Sequence, residues 1–413
     1  MTKEKKIDLN LLRLRHINGG ITAPLGFMAS GIHCGIKISG LDLALIYSNT
    51  PAIAAAMFTT NKIKAAPIIV SQKHIKKGDI RAIIINSGNA NACTGKKGLK
   101  DAEKMCEATA NLLKIKKEQV LVASTGVIGV PLPIDKIIQG IEKFETRLSS
   151  TGSQLAANAI MTTDQKIKET SVIMRLGAKS VKIGGIAKGS GMINPNMATM
   201  LAFLTTDVNI SLPMLKSALK ESVDETFNKI TIDGDRSTND MVAIIASKKA
   251  QNYIIDKKNN DYEMFVYALK KVCKDLAYMI VADGEGVKKV IKIEVENGKT
   301  DKECELVART IANSLLVKTA IAGADPNWGR ILAAIGYSGA KFEPKKLQIN
   351  IQGILVYNNE EPTNYEEPKL IEALQKDYIK IKINLGLKNN TSAVILTSDL
   401  TEDYVKINSR YRT

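Results

Sequence analysis

Aromatic side chains are scarce in this sequence, at 5% of 413 residues with a single Trp. Proteins that bind single-stranded nucleic acid stack bases on aromatic rings, so this scarcity argues against such a role. The net charge of +16 would still suit a nucleic-acid partner. However, the lysines are dispersed, and no helix-turn-helix, zinc-finger or RNA-binding signature is present. We therefore predict a lysine-rich solvated surface without nucleic-acid binding, whose positive field could attract anionic amino-acid substrates.

Histidine and paired cysteine are also lacking. The three histidines lie far apart and form no H-E-x-x-H motif, so we predict no metal site. The five cysteines include no C-x-x-C pair, which favours reduced thiols and a cytoplasmic protein. The segment Met1–Asn10 lacks the apolar core of a signal peptide. No apolar run is long enough to span a membrane, so we expect no membrane partner.

Apolar residues make up 45% of the chain, which is ordinary for a globular protein with a substantial core. The length allows two to three domain-sized units or one large assembly. Helical and strand patterns alternate, so we predict an α/β fold with mixed sheets and helices. The predicted helices cover residues 100–113, 133–148, 153–160, 261–281 and 301–320, with one more that starts after Ser211 as its cap. The predicted strands cover residues 82–86, 119–129, 170–177, 180–185, 199–208, 290–295, 347–351 and 379–385, and residues 357–368 are predicted as an exposed loop.

The stretch from Lys188 to Phe203 reads K-G-S-G-M-I-N-P-N-M-A-T-M-L-A-F. Its glycines permit tight bending and Pro195 then stiffens the backbone just before Ala198-Thr199. Such geometry would let Thr199 Oγ attack the carbonyl of Ala198 and cut the chain there. The new α-amine of Thr199, with an unperturbed pKa near ~8, could then act as general base. From spacing alone, an ordinary loop that leads into a strand is the favoured reading.

A second stretch, Gln119–Gly129, is predicted as a strand that ends in a tight turn. Attack on an amide carbonyl creates an oxyanion, and donors aimed at it typically contribute about 3 kcal/mol each. A glycine N–H beside a hydroxyl could supply two such donors. Taken alone, the pattern favours a simple strand-end turn.

The run from Lys188 to Asp207 resembles the signature of the ornithine acetyltransferase family, the glutamate N-acetyltransferases and amino-acid acetyltransferases of arginine biosynthesis. Three further segments resemble that family: S-G-N-A-N-A-C-T-G at 87–95, A-D-P-N-W-G-R at 324–330 and the tail N-S-x-Y-x-T at 408–413. The resemblance implies a self-processing threonine-nucleophile acyltransferase fold. It also implies cleavage into an alpha chain, 1–198, and a beta chain, 199–413, intertwined as one unit. The two would assemble as a heterotetramer of two alpha and two beta chains.

The same resemblance implies roles for individual residues. Thr199 would be the nucleophile, and Thr125 Oγ with the Gly126 N–H would form the oxyanion hole. The substrate would be held by Thr162 or Thr163, Lys188, Glu285, Asn408 and Thr413. Lys188 would meet a substrate carboxylate and Glu285 an amino group. The segment 231–240 would be structural or lie near the site.

The implied reaction moves an acetyl group from N2-acetylornithine to glutamate through an acetyl-Thr199 ester, without a metal or other cofactor. Acetyl-CoA would be a second donor only if the enzyme is bifunctional. Two alternatives remain. One is a self-processing amidohydrolase or aminopeptidase of related architecture, in which water replaces glutamate. The other is a non-enzymatic basic protein that binds nucleic acid.

Overall fold

The structure is a computed structural model that describes residues 13–193, 200–387 and 389–410. The predictions for Met1–Asn10, Ala198, Thr199 and Thr413 concern residues outside these ranges. Within the described ranges no helix has both the length and the apolar character needed to cross a membrane.

Strands and helices alternate along the chain, as the sequence patterns predicted. The strands are β1 (Arg15–His16), β2 (Phe27–Ile32), β3 (Leu43–Ser48), β4 (Ile53–Phe58), β5 (Ala82–Asn89), β6 (Val120–Val127), β7 (Lys168–Leu176), β8 (Lys179–Lys188), β9 (Leu201–Thr206), β10 (Met241–Ala246), β11 (Val290–Glu296), β12 (Gln348–Ile351), β13 (Ile354–Asn358), β14 (Glu361–Pro362), β15 (Tyr378–Asn384) and β16 (Ser392–Ser398). The α-helices are α1 (Ala66–His74), α2 (Gly95–Leu113), α3 (Ile134–Glu142), α4 (Ser153–Ala159), α5 (Leu212–Asp224), α6 (Asn260–Ala282), α7 (Asp301–Ala312), α8 (Leu315–Ala322), α9 (Trp328–Gly336), α10 (Glu367–Leu374) and α11 (Glu402–Asn408).

Two sheets pack face to face at the centre of the molecule. Sheet I has the order β1-β7-β8-β9-β10-β4, and sheet II has the order β2-β3-β5-β6. Both are mixed, because β9–β10 and β5–β6 are parallel pairs while their other neighbours are antiparallel. Side chains alternate across a strand. Accordingly, Leu201 and Phe203 of β9 join the core between the sheets, whereas Ala202 and Leu204 join the core on the other face of sheet I.

Helices cover the outer faces of both sheets. On sheet I, α5 packs against β4, and α6 packs against β7 and β8. The apolar stripe of α6, which includes Phe265 and Leu276, is fully buried there. On sheet II, α2 and α3 supply Met105, Ile137 and Ile141 to the outer core. The result is a four-layer helix–sheet–sheet–helix arrangement in which strands on both sides of 194–199 share sheet I.

A third sheet, sheet III, forms from the C-terminal part of the chain in the order β14-β13-β12-β15-β11-β16. The helices α7, α9 and α10 contribute to its core, which is separate from the cores of sheets I and II. Sheet III is also mixed, since β11 is parallel to β15 and antiparallel to β16. The α/β class with mixed sheets is therefore confirmed, whereas the division into chains 1–198 and 199–413 stays a prediction.

Three local predictions were wrong. The single helix over 301–320 is two helices, because the chain breaks after α7 and Ser314 caps α8 by accepting from the Val317 N–H. The segment 357–368 is largely exposed, but it contains the end of β13, all of β14 and the start of α10. Ser211 does precede α5 with Pro213 in the first turn, yet its hydroxyl makes no capping hydrogen bond.

Candidate active site

A cavity of about 210 Å³ opens where β6, β8 and β9 meet the 231–240 segment. It contains every predicted site residue of the described part of the chain: Thr125, Gly126, Thr162, Thr163, Lys188, Glu285 and Asn408. These residues are spread over nearly three hundred positions, so only the tertiary fold brings them together. Their proximity is what a shared site requires, while their individual roles stay predictions.

The residues on both sides of the predicted cleavage segment lie at or next to the ends of central strands and line this cavity. Lys188 ends β8 and is the register partner of Leu201, which begins β9. Gly191 and Met192 line the cavity before residues 194–199, and Met200 and Leu201 line it after them. The predicted nucleophile Thr199 and its neighbour Ala198 lie outside the described residues.

Gly126 lies near the end of β6 and has a backbone that only glycine adopts easily. Its φ is +130°, a region that other residues rarely adopt. A Cβ at this position would lie 2.3 Å from the carbonyl carbon of Gly88 on the neighbouring β5. Close approach of β5 and β6 therefore excludes any side chain here and leaves the backbone of Gly126 at the cavity wall.

Lys188 lies between two of the predicted hydroxyl residues. Its Nζ donates to Thr162 Oγ1 at 2.8 Å and to Thr125 Oγ1 at 3.3 Å. Burial lowers the pKa of Lys188 from its ordinary value, although the nearby carboxylate of Asp164 opposes that shift. Both partners are neutral hydroxyls, which leaves the positive charge of Lys188 available to an anionic ligand.

Beneath Lys188 lies a buried ion cluster of Asp164, Lys168 and Asp283. Lys168 is 1% exposed, and its Nζ lies 2.7 Å from Asp164 Oδ1 and 2.5 Å from Asp283 Oδ2. Burial alone would raise the pKa of Asp164, but the cations of Lys188 and Lys168 outweigh it and lower that pKa to about 2. Asp164 also accepts the Gly189 N–H at 2.8 Å. The cluster thus anchors the chain directly after Lys188.

Glu285 is buried at the cavity wall with its carboxylate facing Asn408. The Asn408 Nδ2 donates to Glu285 Oε2 at 2.7 Å. The backbone N–H of Glu285 donates to the Ser190 carbonyl at 3.0 Å, which ties the turn after α6 to the 188–193 segment. A Cβ on Gly191 would lie 2.5 Å from the Glu285 carboxylate, so a glycine is needed for this approach.

The sequence analysis missed several cavity residues. They come from the segment 231–240 and from α11: Asp233, Asp235, Ser237, Asn239, Asp240 and Tyr404. Asn239 connects this segment to sheet II, because its Nδ2 donates to the carbonyls of Ala90 and Ser124 at 2.6 and 2.8 Å. The resemblance implied that 231–240 is structural or lies near the site, but it assigned no role to any single residue of this segment.

The sequence profile of the ArgJ family matches residues 28–413. The chain belongs to the ArgJ family. The arginine biosynthesis bifunctional protein ArgJ of Caldanaerobacter subterraneus subsp. tengcongensis is 47% identical over 401 residues, which cover 96% of this chain and 99% of that protein. This membership confirms the resemblance found in the sequence.

Two solved structures of the ArgJ family are also similar to this chain. One is the arginine biosynthesis bifunctional protein ArgJ of Bacillus halodurans, with 45% identity, a TM-score of 0.49 and coverage of 51% of this chain and 98% of that one. The other is the ornithine acetyltransferase of Mycobacterium tuberculosis complexed with ornithine, with 41% identity and a TM-score of 0.41. That match covers 44% of this chain and 98% of the other chain.

Proposed function

We propose that this ArgJ-family chain transfers an acetyl group from N2-acetylornithine to glutamate and so produces ornithine and N-acetylglutamate in arginine biosynthesis. Family membership over nearly the whole chain supports this activity. The structural observation that supports this activity is that the predicted residues line one cavity, together with residues on both sides of the 194–199 segment.

Maturation comes first in this mechanism. Thr199 Oγ attacks the Ala198 carbonyl, the C–N bond breaks and the nitrogen takes up the hydroxyl proton to become the α-amine of Thr199. Water then hydrolyses the resulting ester and leaves the Ala198 carboxylate. The free amine is within the same residue as the hydroxyl, so it can serve as its general base.

Acetyl transfer then proceeds in two ester steps. Thr199 Oγ attacks the acetyl carbonyl of N2-acetylornithine, its proton passes through the α-amine to the departing nitrogen, and ornithine leaves. The glutamate amine then attacks the acetyl ester, and the proton it loses returns to Thr199. Thr125 Oγ and the Gly126 N–H stabilise the oxyanion of each tetrahedral state. Removing any one such donor typically costs about 3 kcal/mol of transition-state stabilisation.

The remaining cavity residues hold the amino-acid groups that both substrates share. The Lys188 ammonium meets the α-carboxylate, and Thr162 or Thr163 lies beside it. Glu285, oriented by Asn408, meets the amino group, and Thr413 completes the site. One set of contacts can therefore serve first the donor and then the acceptor, as a ping-pong reaction requires.

The assembly, the donors and the location follow the same proposal. The alpha and beta chains remain associated and pair into a heterotetramer in the cytoplasm. No metal or bound cofactor takes part. The names of the relatives describe bifunctional proteins, which supports acetyl-CoA as a second donor. Incubation with acetyl-CoA and glutamate, without N2-acetylornithine, tests that donor directly.

The decisive experiment is a denaturing intact mass of the freshly purified wild type beside Thr199→Ala. We expect two fragments cut before Thr199 in the wild type and one uncut chain in the variant. Product analysis with and without glutamate follows: N-acetylglutamate supports the transferase, whereas free acetate as the main product would support the amidohydrolase. An uncut, inactive wild type would remove the nucleophile and the base together.

A further inference from the structure

The carboxylate of Asp233 holds the backbone just before the predicted cleavage segment. Its Oδ2 accepts the Met192 N–H at 2.5 Å, and its Oδ1 accepts the Ile193 N–H at 2.8 Å. Hydrogen bonds to an ionised acceptor are about twice as strong as neutral ones. Two consecutive peptide groups are therefore fixed by one side chain, directly before residue 194.

Two neighbours of Asp233 in the chain bind the carbonyl group of Ile193. The Ile232 N–H donates to the Ile193 carbonyl at 2.6 Å, and Thr231 Oγ1 donates to that carbonyl at 3.0 Å. Ile193 itself is fully buried and forms a β-bridge with Arg236. Both backbone groups of Ile193 are thus bonded to the segment 231–236.

The far end of the cleavage segment is held as well. The Met241 N–H donates to the Met200 carbonyl at 3.1 Å, and Leu201 is already part of β9. The segment 231–241 therefore bonds the chain on both sides of 194–199. Met192, whose N–H is bound by Asp233, has a φ of +58°, an uncommon value for a residue with a side chain.

We propose that Asp233 is a positioning residue for self-cleavage, which fixes the backbone of Met192 and Ile193 where the chain enters the segment that is cut. The inference rests on the proposed function, because it assigns a residue to the maturation step. Intramolecular attack depends steeply on placement, and small misplacements reduce rates by up to about a hundredfold. Asp233 acts on the first step, in which the peptide becomes an ester.

The test is a time course of intact mass for the full chain, with Asp233→Asn beside the wild type. The amide keeps one acceptor oxygen but places an NH₂ donor against one of the two N–H groups. We expect cleavage to slow by about tenfold to a hundredfold. Hydroxylamine, which cleaves esters, should not restore the rate, because the ester itself forms slowly. Restoration by hydroxylamine would place Asp233 after the ester step and overturn the proposal.

Asp207→Asn is the matched control. Asp207 also accepts two backbone N–H groups, from Lys182 at 2.8 Å and Leu25 at 3.0 Å, but it follows the far end of β9. We expect it to lower the thermal midpoint while it leaves cleavage at the wild-type rate. Equal slowing in both variants would reduce the role of Asp233 to general stability and contradict the proposal.

A second variant covers the case in which Asp233→Asn does not fold. Thr231→Val removes one bond from the same segment to the Ile193 carbonyl and should slow cleavage below the wild-type rate. Wild-type cleavage rates in whichever of the two variants fold would contradict this inference and leave the proposed function standing. An uncut wild type would instead overturn the proposed function, and the role of Asp233 with it.

Discussion

Lys188 and Leu201 are direct partners across β8 and β9, although residues 189–200 lie between them in the chain. The connection therefore leaves and re-enters the sheet at the same end of two adjacent, central strands. Both strands are buried by layers on each face of sheet I, so neither end can move without disrupting the core. Both ends of this connection are therefore held in the sheet, which fits the proposed self-cleavage.

The charge of Lys188 should limit activity at alkaline pH. Burial lowers the pKa of its ammonium, so the proton is lost at a lower pH than from an exposed lysine, whose pKa is about 10.4. If the charged form binds the substrate carboxylate, KM for N2-acetylornithine should rise as pH increases toward that value. Steady-state kinetics between neutral pH and pH of about 10 would measure this alkaline rise in KM.

Lys188→Arg is the control for the alkaline rise in KM, because a guanidinium remains charged throughout this pH range. We expect a higher KM at neutral pH, since the planar guanidinium of arginine cannot reproduce the contacts of the ammonium with Thr125 and Thr162. Its KM should nevertheless be less sensitive to alkaline pH. An identical alkaline rise in KM in both enzymes would assign the titration to another group.

Gly126→Ala should be more damaging than a glycine change in the adjoining turn. Both Gly126 and Gly129 have positive φ, at +130° and +81°, so alanine is strained by about 1–2 kcal/mol at either position. At Gly126 the new Cβ would meet the backbone of Gly88, whereas among the described residues none beyond its chain neighbours lies within 4 Å of a Cβ at Gly129. Urea unfolding should show the larger loss for Gly126→Ala, with cleavage or transfer also reduced. Equal losses would mean that β5 and β6 can separate here.

Because Lys168 lies in the buried ion cluster, its replacement should lower the free energy of unfolding unusually strongly. Lys168→Met leaves Asp164 and Asp283 without their shared cation, and breaking such a buried pair costs about 3–5 kcal/mol. The control is Lys369→Met, which removes the exposed pair with Glu366 and should cost less than about 1 kcal/mol. Chemical denaturation of both variants measures the difference. Similar, small losses would show that the cluster is dispensable.

The same cluster should make the fold sensitive to acid. The pKa of Asp164 falls from 3.8 to about 2 in the folded protein, so the folded state favours the charged form. Its contribution is fully present above the unfolded pKa of about 4 and is lost as pH falls toward about 2. Asp164→Asn should remove this dependence, so the stability of the variant would fall less steeply than that of the wild type over the same range.

The sequence predicted local elements well where periodicity was strong, as in α6 and the alternating β11. The family resemblance singled out positions 125–126, 188 and 285, which the fold brings to one cavity, while their roles stay predictions. The order β8-β9-β10 in sheet I could not be derived, because strand order depends on contacts between distant segments. For the same reason Asp233 and Tyr404 were missed. The break between α7 and α8 was readable in principle, since Ser314 is a typical N-cap residue.

The contact between Asn408 and Glu285 provides the last test of the site. Asn408→Asp would replace the Nδ2 donor, 2.7 Å from the Glu285 carboxylate, with a second negative charge. A lost hydrogen bond to a charged group costs about 1.5–3 kcal/mol, so KM for N2-acetylornithine and glutamate should rise by roughly tenfold or more. Ser409→Asp adds the same charge at the next, exposed position and should leave KM nearly unchanged. If Asn408→Asp also leaves KM unchanged, α11 does not orient Glu285 for substrate, and the proposed amino-group contact would have to come from elsewhere in the cavity.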